Sequence, residues 1–204
     1  MFSKNLLSYI PSNEWREYIE KQLVFLNQIS NFTSEETNYY SMNKNRIFFN
    51  ISDCIMEEEI WTVLHEYAHY ISYNAFNSKG HVCDVLTSIF KKEVSKKRIR
   101  NEKEGVRFLN NLENELSMYS SPYSIQRMLT PISDGLGICI NTSYKPYGYR
   151  GHNKGYPISY MGTELFAELF AMTVMGDNIG LSIFKREFPK TYYYANEKIN
   201  SLRK

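Results

Sequence analysis

The five residues His65, Glu66, Tyr67, Ala68 and His69 place two imidazoles four positions apart, with a carboxylate beside the first. On an α-helix, residues i and i+4 lie on one face, so both rings can direct a nitrogen at the same ion. Glu66 projects about 100° round the same turn, within reach of a water held by that ion. The chemistry this pattern suits is metal-assisted hydrolysis. The metal acidifies the water and polarises a carbonyl, while the carboxylate takes the proton and passes it to the leaving group. The chain has only four histidines, so a chance pairing at this spacing is uncommon. The plainer alternative is two histidines simply satisfied on a helix surface.

A catalytic zinc takes three protein ligands and keeps one position open. The nearest positions offer no third ligand. Ser72 and Ala75 stand where the extended form of the motif has glycine and histidine, and residues 85–92, VLTSIFKK, hold no glutamate. The best remote candidate is GTELFAELFA, residues 162–171, where Glu164 and Glu168 lie four apart in an otherwise apolar stretch. Two carboxylates there are costly to bury unless a metal or hydrogen bonds satisfy them. An exposed stripe on an amphipathic helix is the competing explanation. Taken with the histidine pair, one glutamate is expected to ligate the metal and the other to orient a histidine from behind. Spacing alone does not say which does which.

The elements that must position these groups follow from periodicity. Trp15, Tyr18, Ile19, Leu23, Leu26 and Ile29 predict a helix over residues 13–31, and RIFFNIS (46–52) predicts a strand. A helix is expected from about 53 to 76, with Asp53 as its cap, Glu57, Glu58 and Glu59 near its positive end, and Ile60, Leu64, Ala68 and Ile71 as its buried stripe. Two helices are expected between Val82 and Tyr119, with KKEVSKKRIR (91–100) between them. That basic run, interrupted by acids, reads as a solvated helix face rather than a polyanion site. YSSPYS breaks the pattern near Pro122, and the glycines of residues 131–157 predict mostly loop. Helices over about 163–175 and 190–202 complete an α+β chain in which helix dominates.

With 43% hydrophobic residues, 204 residues can form one core, so a single domain over 1–204 is expected. The charge of +2 gives no reason to invoke nucleic acid or a membrane surface. Three dispersed cysteines, Cys54, Cys83 and Cys139, form neither a metal pair nor a disulfide framework. The first twenty residues lack the apolar core of a signal peptide, and no run approaches a membrane span. A cytoplasmic location is expected.

HEYAH followed by ELFAELFA resembles the gluzincin metallopeptidases that include anthrax lethal factor and the Pro-Pro endopeptidases. The resemblance implies a zincin-like fold with a small sheet and two active-site helices, one Zn2+ per chain and a peptide or protein substrate. It also implies His65, His69 and Glu164 as metal ligands, Glu66 as general base and Glu168 as the supporting carboxylate. These families place a tyrosine several residues before the ligand glutamate, where its hydroxyl stabilises the oxyanion. Tyr156 and Tyr160 are the candidates here, and Tyr156 is preferred because it falls in the expected loop. The C-terminal third, ISDGLG through GYRGHNKGY and TELFAELFAMTV to FKREFPKTYYYANEKI, is similar to the zincin-like end of phage minor capsid proteins. This second similarity implies a phage association and puts Asp134 and the loop around His152 beside the cleft; His152 as a substitute ligand is the less favoured alternative to Glu164. His81, on a polar turn, reads as a surface residue. The resemblance covers residues 46–76, with the strand as an edge above the site, and 131–202. Residues 80–130 stand as a helical insertion. A zinc-dependent endopeptidase is the leading expectation, and a catalytically silent zincin-fold interaction protein of a phage or mobile element is the alternative.

Overall fold

The computed structural model describes residues 4–32, 38–49, 57–76, 81–118, 120–140 and 156–204. Two antiparallel-running partners form its centre: α2 (Glu57–Asn74), which carries the histidine pair, and α6 (Met161–Met175), which carries Glu164 and Glu168. Helix α2 buries Ile60, Leu64, Ala68 and Ile71, the expected stripe, and adds Val63 and Tyr67. Helix α6 is apolar on nearly every side, so it has no solvated face and is buried almost throughout. It packs more extensively on α2 than on any other element. Gly176 ends it in the left-handed region (φ 70°), where its N–H and that of Asp177 bond back to Thr173 and Met172 carbonyls.

The remaining helices surround this pair. Helix α1 (Asn13–Ile29) is capped by Ser12 and buries Trp15, Ile19, Leu23, Leu26 and Ile29. It stops two residues earlier than expected because Ser30 begins a strand. Helices α3 (His81–Lys96) and α4 (Glu102–Leu116) are the expected pair, but α3 takes in residues 91–96 of the basic run expected between them; it ends before Arg98 (φ 60°), and Asn101 caps α4. The basic run is mostly solvated, except that Lys97 pairs with Glu187 at 2.7 Å. Glu93 within it is buried. It accepts the backbone N–H groups of Lys190 and Thr191 and the Thr191 hydroxyl, capping the start of α8 (Pro189–Ser201).

Three expectations need correction. Residues 131–139 are helical, not loop: α5 runs Pro122–Cys139 straight through Pro131, Gly135 and Gly137. Gly135 serves packing, since a Cβ there would lie 2.7 Å from the Phe90 ring and 3.0 Å from Leu165. A further helix, α7 (Asn178–Glu187), lies between the two expected at the C-terminal end, capped by Asp177, which accepts the Gly180 N–H at 3.0 Å. Strand β3 (Arg46–Phe49) is not an edge. It sits between β1 (Ser30–Phe32), parallel to it, and β2 (Tyr39–Ser41), antiparallel to it. Ile47 and Phe49 point into the core, and both β2 and β3 pack on α2. Asp53 and residues 50–52 and 141–155 of the expected elements lie outside the described residues.

Candidate metal centre

His65 and His69 lie one turn apart on α2 and face the first two turns of α6. Their rings meet edge-on at 4.6 Å, with the two Nε2 atoms 3.0 Å apart. Glu164 Oε2 completes a triangle, 3.4 Å from His65 Nε2 and 3.5 Å from His69 Nε2. Ligand atoms about 2.0–2.1 Å from a tetrahedral ion lie about 3.3–3.4 Å from one another. The two edges to Glu164 fit this spacing to about 0.1 Å and the histidine–histidine edge is about 0.3 Å shorter; the donors are imidazole and carboxylate, which suit a divalent metal. Among the described residues this is the one group of three such side chains able to hold a metal ion.

Glu164 is 3% exposed and Glu168 5%, which rules out the exposed-stripe alternative. Each carboxylate has a defined position. Glu164 Oε1 accepts the Tyr156 hydroxyl at 2.6 Å, which leaves Oε2 toward the histidines. Glu168 Oε1 lies 3.0 Å from His65 Nδ1 in an ion-pair contact behind the ring. A carboxylate there favours a proton on Nδ1 and leaves the Nε2 lone pair toward the triangle. Burial opposes a charged His65, but Glu168, Glu164 and the charge of Glu66 outweigh it and push its pKa well above the usual value.

Glu66 is 7% exposed, and its charge acts on both His65 and Tyr156, so it belongs to the same enclosure. Burial, with the Glu164 carboxylate next, raises the pKa of the Tyr156 phenol and keeps it a proton-bearing donor. Of the two candidate tyrosines, Tyr156 is the one bonded to Glu164. Tyr160, exposed in the 3-10 turn Ile158–Tyr160, lies against it with the rings tilted and their centroids 5.8 Å apart. Asp134 is buried within α5, a helix that packs on α6, rather than in a loop. His152 lies outside the described residues, as does the side chain of His81.

Sequence reasoning missed α3 as a neighbour of the site. Thr87 accepts the Gly162 N–H at 2.9 Å, two residues before Glu164. The only local signal was a glycine in the first turn of an apolar helix.

No family model matches this chain, and no match was found among curated proteins or solved structures.

Proposed function

We propose that the chain is a zinc-dependent endopeptidase of the gluzincin type. The observation that supports this most is the triangle of His65 Nε2, His69 Nε2 and Glu164 Oε2, with edges of 3.0, 3.4 and 3.5 Å. His65, His69 and Glu164 hold the metal in this reading. Zinc, when bound, supplies a Lewis acid that activates water and polarises the scissile carbonyl.

The chain's own groups do the rest. Glu66 takes the proton of the attacking water and returns it to the amine that leaves. Tyr156 turns its hydroxyl to the oxygen of the carbonyl as negative charge develops there. Glu168 keeps the His65 ring in the tautomer that points Nε2 forward. Glu66, buried within the same enclosure, favours catalysis over a structural role, because a purely structural site has no need of a base.

The test is metal content by elemental mass spectrometry for the purified protein, Glu164→Ala and Glu66→Gln, followed by a peptide-library digest. Stoichiometric zinc in the wild type and in Glu66→Gln, its loss in Glu164→Ala, and cleavage by the wild type only are expected. An absence of zinc in the wild type after reconstitution would overturn the reading. So would cleavage by Glu66→Gln at the wild-type rate.

A further inference from the structure

Helix α3 approaches the N-terminus of α6 unusually closely. A Cβ on Gly162 would lie 1.8 Å from the Cys83 carbonyl oxygen and 2.6 Å from its carbon, so no side chain fits there without moving a helix. The Gly162 N–H is one of the four at a helix start that lack an intrahelical acceptor, and Thr87 Oγ1 supplies one at 2.9 Å. Cys83 and Thr87 are four apart, on one face of α3. The buried Cys83 thiol also contacts the hydroxyl of Thr163, next to Glu164, and that of Ser72, three residues beyond His69. Ser72 in turn donates to the His69 carbonyl at 2.9 Å. One face of α3 therefore touches both ligand-bearing helices within three residues of a ligand.

We infer that this face of α3, through Thr87 and the Cys83–Gly162 contact, is a positioning clamp that sets Glu164 at the correct distance from the two histidines. The inference rests on the metal reading above and goes beyond it, because it assigns the task to a segment that contributes no ligand. Two helices packed through apolar side chains alone can slide against each other at low cost. Contact between backbone atoms cannot, and the hydrogen bond at Gly162 fixes the rotation of α6 at the turn that carries Glu164. Thr87 is a positioning residue in this account, since it acts on the metal only through Gly162 and Glu164.

The experiment measures zinc affinity of the full chain by competition with a chromophoric chelator, for wild type, Thr87→Val, Thr87→Ser and Gly162→Ala. The melting temperature of each metal-free form is recorded alongside. Thr87→Val keeps the shape and removes the acceptor, and about a tenfold to hundredfold weaker zinc affinity is expected. Thr87→Ser restores the acceptor and should return the affinity to near wild type. Gly162→Ala should weaken binding at least as much, and if it does not fold the threonine pair carries the test alone. A folded Thr87→Val that binds zinc as tightly as the wild type overturns the clamp while leaving the metal site intact, even if its melting temperature falls. A wild type that binds no zinc overturns both.

Discussion

Replacing Tyr156 with phenylalanine removes one oxygen and probes two roles at once. The hydroxyl donates to a carboxylate that is 3% exposed, at 2.6 Å. Such a charge-assisted bond contributes about 1.5–3 kcal/mol, which is the expected loss of folding stability in the metal-free protein. The bond already exists before a metal arrives, so that worth does not pass into metal affinity. What passes is the cost of ordering a Glu164 side chain that has lost its tether, about 0.5–1.5 kcal/mol. This corresponds to roughly a twofold to tenfold rise in the Kd for zinc. Catalysis responds on another scale, because losing a donor to the developing oxyanion costs about 10²–10³ in kcat. Urea unfolding of the chelated protein, a chelator-competition titration and kcat on a cleaved peptide separate the three effects. A variant with wild-type kcat refutes the oxyanion role. One unchanged in stability as well refutes the bond to Glu164.

Three further outcomes are expected. Glu168→Ala should lower zinc affinity about tenfold to hundredfold, whereas Glu168→Gln, whose amide oxygen can still accept from His65 Nδ1, should retain most of it; the same titration decides. Glu93→Ala leaves the fully buried Thr191 N–H and hydroxyl without their acceptor, at about 1–3 kcal/mol each, and should lower the urea midpoint markedly. Burial raises the Asp177 pKa above 3.8, against the opposing Gly180 N–H and Arg127. The folded state then binds its proton more tightly than the unfolded chain, so this group's contribution is fully present below pH 3.8 and is lost as pH rises through the raised value. Asp177→Asn keeps the capping oxygen for Gly180 and should gain in melting temperature over the parent as pH is raised from 3.8 to 7.

The candidate ligands were legible because helix periodicity converts spacing into facing. His65 and His69 needed only the i, i+4 rule, and Glu164 and Glu168 stood out as charges in an apolar helix. Which glutamate joins the histidine triangle was not readable from spacing, since both lie on the same face. The structure separates them by their partners, Tyr156 for one and His65 Nδ1 for the other. Gly135 and Pro131 misled because glycine and proline signal loops by backbone preference, whereas Gly135 is there for its lack of a side chain against Phe90. Strand β3 read as an edge because its neighbours, SNF and YYS, are three residues long and carry no alternation. Thr87 was invisible because its partner lies 75 positions away.

The donor set is split along the chain, with His65 and His69 on one side of roughly 95 residues and Glu164 on the other. During synthesis, the histidine helix leaves the ribosome long before the helix that completes the triangle. The histidine pair alone offers two of the three protein ligands that a catalytic zinc site takes. The three-donor triangle is complete only after α6 has docked on α2. A product that ends before α6 carries the histidine pair without Glu164, so on the metal reading proposed above it lacks the site.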